Sequence, residues 1–150
     1  MRLAEALTER SDIQKRIEQL RKRLKINAKV QAGEKPAEDP ELLLKELNHL
    51  IDNLTDLITR INKTNSETMV DQESLTSLLA KRDTLALKIQ IMRETLESAS
   101  STIMRNTKTE IKIISTISVA ATQKKVDALS KELRQLDVKI QEVNWTTDLQ

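Results

Sequence analysis

The sequence predicts an all-α fold: four long helices in antiparallel coiled-coil hairpins or a bundle, with a short β element between helices three and four. Charged residues make up 32% of the 150-residue chain, and the apolar residues are mostly Leu, Ile and Ala. Phe and Tyr are absent, and the chain contains one Trp and one Gly. Apolar residues also recur at steps of three and four, which with this composition is typical of long helices. We therefore expect a single helical domain over residues 1–150.

We predict the first helix from about residue 3 to residue 30. Its apolar stripe steps by four, three and four residues and consists of Ile13, Ile17, Leu20 and Leu24. The helix is expected to end in the stretch QAGEKPAEDP, because Gly33 can adopt the left-handed conformation and Pro36 cannot continue a helix. Asp39 and Pro40 then provide an N-cap and a first helical residue for the second helix.

The second helix has an apolar stripe that widens to three positions per heptad, which suits a multi-helix bundle better than a two-stranded coil. The stripe consists of Leu43, Leu44, Leu47, Leu50, Ile51, Leu54, Leu57, Ile58 and Ile61. The helix should end within INKTNSET, because Asn and Ser side chains compete with the helix for backbone hydrogen bonds.

Opposite charge also connects the first two helices. Residues 1–33 carry nine Lys or Arg against four Asp or Glu. Residues 34–65 carry four Lys or Arg against seven Asp or Glu. The two helices are therefore expected to attract each other as the arms of a hairpin.

Helices three and four are predicted to begin near Ser74 and just after Ser118, and each has its own apolar stripe. In helix three the stripe consists of Leu75, Leu78, Arg82, Leu85, Ile89, Met92, Leu96 and Ala99. In helix four it consists of Val126, Leu129, Leu133, Leu136, Ile140 and Val143. Arg82 is the one charged residue in these stripes, so its side chain must find an acid or several carbonyl groups.

Residues 105–118 follow a different pattern from the rest of the chain. Their sequence is RNTKTEIKIISTIS, in which β-branched residues alternate across two faces as in a strand. The alternatives are a hairpin about Asn106 and Thr107, and a continuous helix that fuses helices three and four into one rod, since neither Gly nor Pro interrupts the segment.

A strand at this place needs a partner, because two strands alone are marginally stable and an open edge leaves backbone groups unpaired. The candidate partner is SETMV, residues 66–70, which lies at the other end of helix three. One chain cannot easily join the two segments, whereas a second chain can. We therefore predict a homo-oligomer in which residues 105–118 pair with another subunit and bury Ile111, Ile113 and Ile117.

Four stretches of the chain resemble a small bacterial family of unknown function whose members are often labelled septicolysin. They are KRIEQLRKRLKINAKVQAGEKPAEDPELLL, RINKTNS, LLAKRD and QEVNWTTDL. The resemblance covers nearly the whole chain and implies no catalytic residues. The label implies a pore-forming toxin, which needs export and a segment that crosses or lies in a bilayer. The sequence shows neither, so we expect a cytoplasmic protein without a membrane partner.

The residue types of catalytic sites are scarce. Cys is absent, and His49, the one histidine, lies off the apolar stripe of helix two. Because there is no second His or Cys, no transition-metal site is expected, and no Gly-rich loop can cradle a phosphate. We expect that the protein is not an enzyme and requires no cofactor.

One polar cluster is a candidate site. Helices two and three are consecutive, so Arg60, Asn62 and Asn65 are expected near Arg82 and Asp83. A single buried polar residue can fix the register of packed helices. The cluster is therefore interpreted as a register-setting device, with a site for a protein partner as the alternative.

The sequence favours a structural role, as a scaffold or adaptor that acts through coiled-coil contacts. The alternative is a holdase chaperone that resembles prefoldin subunits, whose coiled-coil helices are joined by β-hairpins that oligomerise. Nucleic-acid binding is a weaker third option and depends on RKRLK at residues 21–25, which has no interleaved aromatic residue to stack on bases. Trp145 is expected to anchor the C-terminal tail against helix four.

Overall fold

The computed structural model describes residues 1–101 and 113–150, and this part of the chain forms four helices and one two-stranded antiparallel sheet. The helices are α1 (Leu3–Asn27), α2 (Pro40–Glu67), α3 (Leu75–Ser100) and α4 (Val119–Thr146). The strands are β1 (Met69–Val70) and β2 (Glu73–Ser74). The predicted fold class, mostly α with four long helices, is confirmed.

The described sheet lies between α2 and α3, whereas the β element was predicted between α3 and α4. Its strands are joined by Asp71 and Gln72, whose φ angles of 48° and 71° are both positive, as a type I′ hairpin turn requires. Residues 113–118 form neither strand nor helix, so the strand prediction is wrong for them. Residues 105–112 of the predicted strand, including Ile111, lie outside the described residues.

The chain divides into two compact units, each of which is described by itself. Unit 1 contains residues 1–75 and 141–150, and unit 2 contains residues 76–140. The organisation of residues 1–150 as one domain stays a prediction.

Unit 1 contains the antiparallel hairpin of α1 and α2. Its buried apolar residues in these helices are Leu3, Ala4, Ala6, Ile13, Leu20, Leu43, Leu50, Leu57 and Ile61. As predicted, Asp39 caps α2, because its carboxylate accepts a hydrogen bond of 2.9 Å from the backbone N–H of Glu41, and Pro40 is the first helical residue. The expected attraction between the arms is visible in an ion pair of 3.9 Å between Arg16 and Glu46.

The loop after α1 is fixed by a buried asparagine. α1 ends at Asn27, whose Nδ2 donates to the carbonyl oxygen of Arg23 at 2.9 Å. The Oδ1 of Asn27 accepts a hydrogen bond of 3.0 Å from the backbone N–H of Glu38. Gly33 has the expected positive φ of 89°, but it lies in the loop beyond the helix and not at its C-terminal cap. The side chain of Asn27 therefore ends α1 earlier than the sequence predicted.

The C-terminal tail, residues 147–150, pairs with the beginning of the chain. The backbone N–H of Leu3 donates to the carbonyl oxygen of Thr147, and that of Leu149 donates to the carbonyl oxygen of Met1. Both distances are 2.9 Å. The tail thus lies antiparallel to the residues that precede α1.

The same tail binds the last turns of α2. The backbone N–H of Gln150 donates to Oγ1 of Thr64 at 3.0 Å, and Nε of Arg60 donates to the carbonyl oxygen of Gln150 at 3.1 Å. Thr64 is fully buried. An ion pair of 2.9 Å between Arg2 and Asp148 adds a side-chain contact at the surface.

Unit 2 consists of most of α3 and α4, which run antiparallel. Its buried cluster is Ile89, Leu96 and Val126, with Leu85, Met92, Leu129 and Leu133 packed against it. As predicted, Ser118 caps α4, since its Oγ accepts a hydrogen bond of 3.3 Å from the backbone N–H of Ala121. Most predicted stripe residues of both helices are therefore buried or half-buried in this unit, and the finer geometry of a coiled coil stays a prediction.

Candidate interaction site

α3 carries apolar residues on two opposite sides. Ile89 is 2% exposed in the cluster with α4, whereas Leu87 is 55% and Ile91 is 52% exposed. A surface helix of a globular protein normally buries one apolar stripe and presents polar residues on the other side. α3 departs from this pattern in its middle turns.

The segment before α4 continues this apolar surface. Ile113 is 68% and Ile114 is 70% exposed, and both line a groove of about 540 Å³ together with Ile91 and Ile117. The Oγ of Ser115 accepts from the backbone N–H of Ile117 at 3.3 Å, which holds the bend of the segment. We call Ile91, Ile113, Ile114 and Ile117 the isoleucine surface.

The isoleucine surface contains two of the three residues predicted to form an oligomer contact. Ile113 and Ile117 are solvent-exposed, which a contact with another subunit requires of the isolated chain. Ile111 lies outside the described residues. Contiguous exposed apolar residues mark interaction sites more often than scattered ones do. The isoleucine surface is the strongest candidate site in the described part of the chain.

The predicted polar cluster is divided between the two units. Arg60, Asn62 and Asn65 belong to unit 1, where Arg60 binds the C-terminal tail, Asn62 is exposed and Asn65 is half-buried. Arg82 and Asp83 belong to unit 2, where they pair with each other at 2.8 Å. The role of the five residues as one partner site or register device stays a prediction.

Arg82 lies at the edge of the helix contact. Its side chain is 33% exposed, and its acid is the neighbouring Asp83, which is 68% exposed. We therefore expect Arg82→Leu to change the free energy of unfolding by about 1 kcal/mol or less, since exposed ion pairs contribute little. Urea unfolding measures this, with Asp83→Asn as the matched variant that removes the same pair. A loss of several kcal/mol in Arg82→Leu alone would reveal a polar network beyond Asp83.

The basic stretch of α1 is partly neutralised within unit 1. Arg23 pairs with Glu38 and lies 4.0 Å from Glu46, and Arg21 pairs with Glu18 at 3.2 Å. A patch that binds phosphates through Lys and Arg must keep those charges available. This arrangement agrees with the interpretation of residues 21–25 as the complement of an acidic second helix.

The ion pair of Arg23 and Glu38 shifts the pKa values of both residues. The Arg23 guanidinium, which donates hydrogen bonds to the carboxylate, holds the pKa of Glu38 below its ordinary value. The same contact raises the pKa of Arg23. The backbone N–H of Glu38 also binds Asn27 at the end of α1. The charge of Glu38 therefore helps to hold the loop between α1 and α2 against the end of α1.

The lowered pKa of Glu38 predicts how the stability of the fold changes with pH. A group with a lower pKa in the folded state stabilises the fold above its unfolded pKa, about 4.3 for Glu, and loses that effect as the pH falls. Glu38→Gln should therefore melt below the wild type near neutral pH, and this difference should shrink below about pH 4. Thermal melts across pH test this, with exposed Glu34→Gln as the control. A difference that persists unchanged in acid would contradict it.

Trp145 and His49 have surface positions. Trp145 is 60% exposed in the last turn of α4, and with Glu9, Ile13 and Arg16 of α1 it lines a groove of about 470 Å³. It therefore lies beside α1, which corrects the expected packing against helix four. His49 is exposed, and its Nε2 lies 3.3 Å from Nδ2 of Asn53.

Within the described residues, no group of three or more His, Cys, Asp or Glu side chains is arranged to hold a metal ion. None of the helices in the same part of the chain is long and apolar enough to span a membrane.

Sequence reasoning missed the residues that organise unit 1. Asn27 and Thr64 are buried polar side chains that hold, respectively, the loop before α2 and the C-terminal tail. A polar residue at a stripe position was the available signal, since Asn27 follows Leu20 by seven residues and Thr64 follows Leu57 by seven. That spacing places both side chains on the buried face.

Comparisons with known proteins show which family the chain resembles. The chain matches the model of a Family of unknown function (DUF6847) over residues 10–149. It is also similar to a solved structure described as the crystal structure of a functionally unknown conserved protein from Corynebacterium diphtheriae. The two are 41% identical over 100% of this chain and 99% of that chain, with a TM-score of 0.94. No curated protein matches the chain. Neither match bears the septicolysin label, and the chain belongs to this family of unknown function.

Proposed function

We propose that this protein is a non-enzymatic, cytoplasmic scaffold or adaptor that acts through contacts of its helices and associates with copies of itself. The isoleucine surface carries the proposal. Ile91, Ile113 and Ile114 are each more than half exposed to water, although full burial of such a side chain contributes about 1.5–3 kcal/mol. A protein partner that covers this surface recovers the part of that free energy that belongs to the exposed fraction.

The surrounding residues support a protein partner over a charged ligand. Among the described residues that line the groove beside the isoleucine surface, Glu94 is charged and the other polar or small ones are uncharged: Thr95, Ser98, Ala99, Ser101, Ser115 and Thr116. This described lining offers shape and apolar contact, with few charged groups to bind a nucleic acid or an ionic substrate. It is compatible with a second copy of the same surface, because the described residues bring little like charge to the contact.

Light scattering after gel filtration tests the proposal at several protein concentrations. The wild type is expected to show at least twice the monomer mass, and Ile113→Lys/Ile117→Lys is expected to show the monomer mass. Ile26→Lys/Val138→Lys is the matched control, because Ile26 and Val138 are as exposed as Ile113 but lie elsewhere. A monomeric wild type, or equal masses for both variants, would remove the support for self-association.

A holdase chaperone is the second candidate, and the exposure of Ile113 and Ile114 side by side favours it. Such a protein suppresses the aggregation of an unfolding client by covering its apolar segments. Turbidity of a heat-unfolded model enzyme should then fall in proportion to added wild type, and Ile113→Lys/Ile114→Lys should lose this effect. If the wild type leaves turbidity unchanged, the holdase function is contradicted and the scaffold proposal is unaffected.

A further inference from the structure

The outer side of α3 forms a continuous stripe of small and apolar residues. Its six exposed members follow each other at steps of four, three, four, four and three: Ala80, Thr84, Leu87, Ile91, Thr95 and Ser98. We call this set the outer stripe. None of its residues is charged, although charged residues are 32% of the chain. A helix that is apolar on both sides is normally covered on both sides.

The outer stripe has nearly the same order of residue sizes when it is followed from either end. Positions equally distant from residue 89, to within one residue, form the pairs Ala80 and Ser98, Thr84 and Thr95, and Leu87 and Ile91. A two-fold axis near residue 89 would bring each residue against its counterpart in a second copy. Small residues then oppose small ones, and the large apolar pair meets at the centre. A closed two-fold contact requires such a self-complementary patch.

We propose that two copies of the chain pack through their outer stripes with the two α3 helices antiparallel, so that Leu87 of one copy lies against Ile91 of the other. The inference rests on the proposed self-association and specifies its geometry. Ala80 and Ser98 let the ends of the two helices approach closely, since small side chains shorten the distance between packed helices. Ile113 and Ile117 border the C-terminal half of the stripe and extend the contact at each end.

Disulfide trapping tests the orientation, because the chain contains no cysteine and each introduced one reports a single position. Ala80 and Ser98 lie 18 residues apart in α3, about 27 Å at 1.5 Å per residue. Ala80→Cys alone and Ser98→Cys alone should therefore give no covalent dimer in the antiparallel arrangement. The two variants, produced together with distinguishable affinity tags and oxidised, should give a covalent dimer that carries both tags.

The outcomes separate this inference from the proposed function. Leu87→Lys/Ile91→Lys should halve the mass measured by light scattering, and Ile26→Lys/Val138→Lys should leave it unchanged. Covalent dimers of Ala80→Cys alone would overturn the antiparallel geometry. The inference is also overturned if the wild type is oligomeric but gives no mixed disulfide, and Leu87→Lys/Ile91→Lys keeps the wild-type mass. That result would leave self-association intact. A monomeric wild type overturns both.

Discussion

Removal of residues 147–150 should lower the free energy of unfolding of unit 1 by about 4 kcal/mol. The tail makes four hydrogen bonds to the N-terminal residues and to α2, all of which the truncated chain loses: Leu3 N–H to Thr147 O, Leu149 N–H to Met1 O, Gln150 N–H to Thr64 Oγ1, and Arg60 Nε to Gln150 O. Each such bond contributes about 1 kcal/mol net. Truncation also exposes Leu3 and Thr64, which are fully buried in the intact protein.

Urea unfolding monitored by circular dichroism measures this effect, and hydrogen exchange of the α1 amides localises it. Asp148→Asn is the matched control, because it removes an exposed ion pair and retains every backbone contact of the tail. Its effect should stay below about 1 kcal/mol. If Asp148→Asn costs as much as the truncation, the side-chain charge and not the backbone pairing holds the tail.

Ile89→Ala should destabilise unit 2 by about 2–5 kcal/mol, because it removes apolar volume from the centre of the cluster with Leu96 and Val126 and leaves a cavity. Leu87→Ala, two residues away on the same helix, should change monomer stability by about 0.5 kcal/mol or less, since Leu87 is 55% exposed. The contrast measures burial, because the helix propensities of Ile and Leu differ by only a few tenths of a kcal/mol.

Protein concentration distinguishes packing within the monomer from self-association in this pair of variants. The stability of a self-associating protein depends on its concentration, because a partner that binds only the folded state adds stability. The Leu87→Ala effect should therefore increase when the melts are repeated at higher protein concentration, while the Ile89→Ala effect is present at every concentration. Equal losses for both variants in dilute solution would contradict the burial difference.

The helices were predictable because their signals are local. Asp39 with Pro40, and Ser118, mark helix starts within a few residues. Heptad spacing alone identified most of the buried or half-buried stripe residues of α2, α3 and α4, but Leu44 and Ile51 of the widened α2 stripe are 41% and 43% exposed. Arg82 shows the limit of spacing, because it occupies a stripe position and is nevertheless one-third exposed beside Asp83. Spacing gives the side of the helix, whereas exposure depends on what packs there.

The sheet and the tail escaped prediction for different physical reasons. Asp71 and Gln72 adopt positive φ without the Asn-Gly or Asp-Gly sequence that usually marks a two-residue hairpin turn. Two of the hydrogen bonds that hold the tail use backbone groups of Met1 and Leu3, which every sequence has and no side-chain pattern reveals. Alternation indicated Ile113 and Ile117 of the isoleucine surface, although it predicts a strand there, and it did not indicate Ile91 or Ile114. Residues 113–118 are irregular, and their isoleucines are exposed all the same.

The pairing of residues 147–150 with residues 1–3 also sets a limit on when the protein can finish folding. A ribosome adds about 5–20 residues per second, so the N-terminal residues emerge about 10–30 s before their partners exist. During this interval α1 and α2 can pair, because their contacts are close in sequence, but Met1 and Leu3 have no backbone partners. Contacts of such long sequence separation form late, since the intervening chain must first be ordered. The last hydrogen bonds of unit 1 are therefore made only after residues 147–150 have been synthesised.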